Sequence, residues 1–240
     1  MMSEEWRIKM STLHSSFCIL HSSSFIYKTL LTVTNFSKAY SGQPVLTVPE
    51  LHLPPGYHYF RGGNGSGKTT FFRTVAGLLP FSGNIELAGK FDINRDPVAY
   101  RMRVNYAEAE PVYPTFLNAR DLAGFVGKAK KAPAGQMDKL AELLGVDTFW
   151  KQPTGQFSSG MLKKLSLLLA FLGTPSLILL DEPLTTLDVA TAEKLFDYIR
   201  HLRTEQNVSF LLTSHQDISL TGLPLTGTWQ VGNGVIVPTT

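Results

Sequence analysis

Residues 62–69 read Gly-Gly-Asn-Gly-Ser-Gly-Lys-Thr, and residues 178–182 read Ile-Leu-Leu-Asp-Glu. The first run fits G-x-x-x-x-G-K-[ST], the pattern of a loop that wraps phosphates. A triphosphate needs many donors converging on a small volume. Gly62, Gly65 and Gly67 let the backbone curl, so that successive N–H groups through Gly63, Asn64 and Ser66 face the phosphates. A following helix adds its positive N-terminal end. Lys68 would bridge the β- and γ-phosphates, Thr69 would ligate Mg²⁺ through its hydroxyl, and Thr70 would lie near the α-phosphate. The second run is an apolar strand that ends in two carboxylates. Asp181 would hold Mg²⁺ through water, and Glu182 is the candidate base that polarises an attacking water.

These groups act together only if the chain brings them to one edge. Thr32–Phe36 alternates like a strand, Val45–Val48 reads as a second, and Tyr57–Phe60 as a third that feeds the glycine loop. Lys68–Leu79 then reads as a helix ended by Pro80, giving the strand–loop–helix order that a phosphate loop requires. Ile85–Ala88 is a further strand. Residues 115–152 read as mainly helical, with breaks at Pro133-Ala134-Gly135 and Gly145. Gly160–Phe171 is a strongly apolar helix, Ser176–Leu180 a buried parallel-type strand and Ala190–Arg203 a helix. Val208–Thr213 is another core strand. Trp229–Val231 and Val235–Val237 flank an Asn233-Gly234 turn, a hairpin signal. Alternating strands and helices argue for an α/β fold with a mostly parallel sheet. Asp181 would then emerge at the C-terminal edge, where ligands collect in such sheets.

Composition narrows the class further. The 240 residues are 43% hydrophobic and 17% charged, ordinary for a globular protein. A net charge of only +3 gives no electrostatic case for nucleic acid. The single cysteine, Cys18, excludes an internal disulfide framework and fits a reducing compartment. The apolar run Leu165–Gly173 is far short of the ~20 residues that span a bilayer. Before residue 30, Leu13–Cys18 nearly repeats as Leu20–Phe25, rich in serine and histidine without a helix or strand period. Residues 1–29 are therefore expected to be a disordered extension, and 30–240 the folded domain.

Further motifs make the chain recognisable. Gln156-Phe157-Ser158-Ser159-Gly160-Met161 opens a helix ahead of the Asp-Glu pair, Leu187-Asp188 follows it, and Thr213-Ser214-His215 closes an apolar strand. This order resembles the ATP-binding cassette (ABC) family: Walker A, signature loop, Walker B with its adjacent glutamate, D-loop and switch histidine. The resemblance covers about residues 31–237. It implies a P-loop NTPase with a RecA-like core, an antiparallel β subdomain from the N-terminal strands, and an inserted helical subdomain near 115–170. It also implies ATP and Mg²⁺ as cofactors. Tyr40 matches the aromatic that stacks on adenine, His215 the histidine that contacts the γ-phosphate and attacking water, and Asp188 the D-loop aspartate. Ser158, Ser159 and Gly160 match the signature that binds ATP held by a second cassette.

Two departures stand out. Phe157, Ser159 and Met161 differ from Leu-Ser-Gly-Gly-Gln, and Ser159 lacks glycine's access to positive φ. The glutamine that the family places before the helical region is missing from Tyr106-Ala107-Glu108-Ala109-Glu110-Pro111. A carboxylate ligates Mg²⁺ at least as well as an amide, so Glu108 or Glu110 is expected to replace it. The resemblance implies an ATPase subunit that pairs with a second cassette, as homodimer or heterodimer. It would dock on a separate transmembrane permease, peripheral on the cytoplasmic face of the membrane, with export preferred to import. The alternatives are a soluble ATP-driven switch of the same family and a weakly hydrolysing regulatory cassette.

Overall fold

The computed structural model describes residues 29–214 and 222–239. Cys18, the serine-rich repeat and His215 lie outside the described residues. Strands β1 (Leu31–Tyr40), β2 (Gln43–Leu53), β4 (Ser82–Leu87) and β5 (Phe91–Asp92) form an antiparallel sheet in the order β2-β1-β4-β5. The second sheet is built from β3 (Tyr57–Arg61), β6 (Val104–Ala107), β7 (Leu177–Leu180), β8 (Ser209–Thr213), β9 (Gly227–Gly232) and β10 (Val235–Thr239). Its order is β10-β9-β3-β8-β7-β6, parallel throughout except for β10 at one edge.

The apolar run at 177–180 has no polar face because both faces of its strand are covered. Leu177 and Leu179 join a core shared with the antiparallel sheet, while Ile178 and Leu180 join a second core under the helices. Helix α1 (Lys68–Val75) fills the space between the two sheets. Phe71 and Phe72 are fully buried there, with ring centroids 5.7 Å (Phe36–Phe71) and 5.5 Å (Phe60–Phe72) apart. Each such ring contributes roughly 1.5–3 kcal/mol of burial, which fixes the helix that carries the phosphate loop at its start.

The short helix α2 (Pro97–Arg103) leads into β6. The other face of the parallel sheet carries α3 (Ala119–Ala129), α4 (Gln136–Leu144), α5 (Ser159–Phe171) and α6 (Val189–Gln206), with 3-10 turns at Asp147–Phe149 and Thr154–Gln156. Helix α5 is apolar nearly all round because it is enclosed by α3, α4, β6 and β7.

Several boundaries differ from the sequence reading. Helix α1 stops at Val75 rather than Leu79. The stop comes from Gly77 at φ 74°, whose N–H bonds Thr74 while that of Leu78 bonds Arg73, a Schellman cap that precedes Pro80. Strand β2 is eleven residues long, not four. The elements β5, α2 and β6 carried no sequence reading at all. Strand β6 is short and contains Asn105, an unfavourable strand residue. Its amide donates to the carbonyls of Ala170 and Leu172 at 2.7 and 2.8 Å, so a buried tertiary contact replaces the missing propensity.

Candidate nucleotide site

Four parallel strands, β3, β8, β7 and β6, end along one edge, and each delivers something different to it. From β3 comes the glycine loop, from β7 Asp181 and Glu182, from β8 Thr213, and from β6 the segment 108–110. A cavity of about 520 Å³ opens there, lined by Asn64–Thr70, Val45, Ala109, Glu110, Asp181, Glu182 and Thr185.

Loop geometry follows from its glycines. Gly67 caps α1 at φ 104°, a value open to glycine alone without strain. At Gly62 a Cβ would lie 2.3 Å from the Val231 carbonyl, so the loop can cross β9 only without a side chain. The Lys68 ammonium is 7% exposed and donates to the carbonyls of Gly62 and Gly63 at 2.8 and 3.1 Å, spanning the mouth of the loop. Ser66 Oγ is buried in the same loop with no hydrogen-bond partner. A buried donor beside a lysine and a helix N-terminus suits an anionic ligand.

Asp181 is the hub. It is 1% exposed and accepts three hydroxyl donors: Thr69 at 2.8 Å and Tyr106 at 3.0 Å on Oδ2, and Thr213 at 2.6 Å on Oδ1. Thr213 Oγ1 in turn accepts the Glu182 N–H at 2.9 Å. Burial, then the Asp181 carboxylate beside it, raises the Tyr106 phenol far above its ordinary value, so Tyr106 stays a donor. Glu182 sits at φ 50°, the left-handed region that costs a non-glycine residue about 1–2 kcal/mol. Such strain is held at a site edge by surrounding bonds.

Other sequence candidates divide. Of the two carboxylates offered in place of the missing glutamine, Glu110 lines the cavity. Glu108 faces away and pairs with Arg73 at 3.3 Å. Tyr40 is 46% exposed, is not among the cavity-lining residues, and has the Lys38 ammonium 4.7 Å from its ring centroid. Ser158 caps α5 by accepting the Met161 N–H at 3.2 Å, and Ser159 is the first helical residue. Ser159 does not take a positive φ, so its replacement of glycine carries no backbone strain. Gly160 packs against the Thr186 carbonyl, 2.9 Å from where a Cβ would sit. Asp188 caps α6, and the Lys164 ammonium at 2.8 Å, with two donors from Thr191, holds its carboxyl well below the usual range. Ser158, Ser159, Gly160 and Asp188 all lie outside this chain's own cavity lining.

Three participants were missed from sequence. Tyr106 lies on the unread β6. Thr213 becomes readable once β7 and β8 are known neighbours, because the pairing of Leu180 with Leu212 places it beside Asp181. Val45, on the unexpectedly long β2, reaches the cavity from the antiparallel sheet.

A family model described as ABC transporter matches residues 49–185 of this chain. The chain belongs to the ABC transporter family. A bacitracin transport ATP-binding protein of Bacillus licheniformis is 31% identical over 193 residues, covering 78% of this chain and 62% of that protein. The phospholipid-transporting ATPase ABCA7 of Homo sapiens is 31% identical over 194 residues, 78% of this chain but 9% of its own length. A sulfate/thiosulfate import ATP-binding protein of Mycobacterium tuberculosis is 30% identical over 191 residues, 77% of this chain and 54% of that protein. The chain thus spans less than two thirds of the length of these relatives. An ATP-binding subunit of an ABC transporter superposes with TM-score 0.77 at 23% identity, covering 88% of this chain and 90% of that one. A nucleotide-free ATP-binding cassette gives 0.69 at 19%, covering 87% and 90%. At these identities the likeness shows the fold, that of ABC ATPase domains with the P-loop NTPase architecture.

Mg²⁺ fits the donors present in this ABC site. Among the described residues no group of three His, Cys, Asp or Glu side chains could hold a metal ion alone. Thr69 Oγ1 and Asp181 Oδ2, 2.8 Å apart, are hard oxygen donors beside a phosphate loop. Magnesium is usually bound in this way, by one or two protein oxygens plus substrate phosphates and water.

Proposed function

We propose that the chain binds and hydrolyses ATP as the nucleotide-binding subunit of an ABC transporter. One observation carries the reading: Lys68, Thr69, Asp181 and Glu182 converge on a single cavity at the C-terminal ends of parallel strands. The backbone N–H groups of 62–67 and the Lys68 ammonium would hold the β- and γ-phosphates. Thr69 and Asp181 would hold Mg²⁺, which when bound neutralises charge on the phosphate oxygens. Glu182 would take the proton of the attacking water, with the Thr213–Asp181 bonds fixing its backbone.

Ser158, Ser159, Gly160 and Asp188 are assigned to the interface with a second cassette, since they face outward from this chain. His215 is assigned to the γ-phosphate, because β8 ends at the cavity. A transmembrane permease is the proposed partner on the cytoplasmic face of the membrane. No helix among the described residues is long and apolar enough to cross a bilayer. A groove of about 500 Å³ beside β6, lined by Leu78, Val98, Met102, Val112, Val126 and Leu169, suits a permease helix. Export remains the preferred direction. The test is ATP turnover by Glu182→Gln: ATP binding should persist while hydrolysis is nearly abolished, and retained hydrolysis would remove Glu182 as the base.

A further inference from the structure

Helix α5 contains a lysine that its apolar surroundings do not require. Lys163 is 1% exposed, on a helix whose other buried residues include Leu165, Leu167 and Leu168. An ammonium is a costly group to bury unless every proton finds an acceptor. Here each does: Nζ donates to the carbonyls of Glu108 at 2.8 Å, Ala109 at 3.3 Å and Asp181 at 2.8 Å. Burial pushes the Lys163 amine down to about 8, against the pull of the nearby carboxylates.

Those three carbonyls belong to one structural problem. Strands β6 and β7 pair as far as Ala107 and Leu180, and the Asp181 N–H adds one last bond to Ala107. Beyond that point the two chains leave the sheet, and their carbonyls lose ladder partners. Lys163 supplies the donors to both chains at once. Ser166, one turn along α5, accepts the Glu108 N–H at 3.1 Å, so the helix holds both backbone polar groups of Glu108. The next residue beyond the tied carbonyls is Glu110 on one chain and Glu182 on the other, and both line the nucleotide cavity.

We propose that Lys163 is the positioning residue that holds Glu110 and Glu182 at a fixed separation across the nucleotide, by tying both exiting chains to α5. The inference rests on the ATPase reading above. Lys164 extends it: the adjacent cation pairs with Asp188, so α5, capped by Ser158, is fastened to the 108–109 segment, to Asp181 and to Asp188.

The test uses purified full-length chain, wild type beside Lys163→Met, which keeps length and apolar bulk, and Lys163→Gln, which restores two donors. Mg²⁺-ATP turnover, ATP affinity by equilibrium titration, and hydrogen exchange of peptides spanning 108–113 without nucleotide are measured on each. Lys163→Met should lower kcat about 10- to 100-fold with ATP affinity within about threefold. Amides 108–110 should exchange faster, and Lys163→Gln should recover part of both effects. Unchanged exchange at 108–110 overturns the proposal whatever turnover does, as does a loss of ATP affinity equal to the loss of kcat. Should Lys163→Met not fold, Lys163→Gln carries the same comparison, with a smaller shift in both readouts expected and none overturning it. Should the wild type neither bind nor hydrolyse ATP, the ATPase reading falls on its own. Exchange at 108–110 then decides the tie, unchanged protection in the variants overturning it.

Discussion

Two of the openings among the described residues are nearly equal in size, about 520 and 500 Å³, and the segment 108–113 borders both. Glu110 lines the nucleotide cavity; Glu108, Val112 and Tyr113 line the apolar groove. In the cavity, backbone and hydroxyl groups are fixed by short hydrogen bonds around Asp181. In the groove, exposed apolar residues such as Leu78, Val98 and Val112 meet no neighbour that covers them, and Val112 is 88% exposed. Volume therefore says little about what an opening does. The first is preorganised for a charged ligand, whereas the second has apolar surface to bury against a partner. Glu108, Val112 and Tyr113 lie on the groove side and Ala109 and Glu110 on the cavity side, so one short stretch of backbone borders both.

The sharpest way to break this comparison is to disable each opening alone. Glu182→Gln should lower kcat by about 10²- to 10⁴-fold with ATP still bound. Lys68→Ala should instead weaken ATP binding about tenfold or more, since a charge-assisted contact to phosphate is lost. Equilibrium titration beside steady-state turnover separates the two. Neither change should alter recovery of the chain with a membrane partner from detergent extracts made without ATP. On the groove side, the double variant Val98→Glu and Val112→Glu should abolish that recovery. Turnover of the isolated variant should stay within about twofold, because both positions are solvent-exposed. If the groove variant lost turnover equally, the two openings would not be separable functions.

A finer test lies inside the shared segment. Glu110→Gln should raise the Mg²⁺ concentration for half-maximal turnover about tenfold, as loss of an outer-shell carboxylate does. Glu108→Gln should leave it unchanged, because it only breaks a partly exposed ion pair with Arg73 worth about 0–1 kcal/mol. Equal effects from the two would mean that the segment turns over when nucleotide binds.

The two openings also differ in how far the sequence announces them. The cavity is written in residues that few other structures need: seven of its liners, Asn64–Thr70, are consecutive in the glycine run and its start of helix, and Asp181-Glu182 ends an apolar strand. What that reading lacked was register. Tyr106 and Thr213 reach Asp181 only through parallel pairing of β6 with β7 and β7 with β8, a non-local fact. The choice of Glu110 over Glu108 likewise had no local signal, because both lie beyond the end of β6 at Ala107, where the chain has left the sheet and a strand period no longer applies. The groove had no local signature. Its liners come from α1's end, α2, β6, the 108–113 segment, α3 and α5, and no one of these segments marks it by itself. Helix α2 and strand β6, both unread from sequence, form one wall of it.

The smallest expected effect concerns the sheet that supports both openings. His58 lies near the start of β3, at the end of the strand opposite the phosphate loop, and is 1% exposed. The indole N–H of Trp229 can only donate, and it points at His58 Nδ1 from 3.3 Å. Nδ1 is therefore the acceptor, and Nε2–H donates to the Pro54 carbonyl at 2.7 Å. A second proton would have to sit on Nδ1, against a donor. Burial already lowers the His58 pKa from its ordinary value of 6.5, more strongly than the Pro54 bond raises it. The unfolded chain then binds the proton first as pH falls, so stability is full above about 6.5 and declines as pH drops from there toward the folded value. Thermal unfolding of wild type between pH 7.5 and 5 should show this decline, and His58→Gln, which cannot take up the proton, should flatten it. ATP affinity per folded molecule should not follow the same curve, because His58 touches neither opening. A pH dependence of unfolding identical in wild type and His58→Gln would place the titrating group elsewhere.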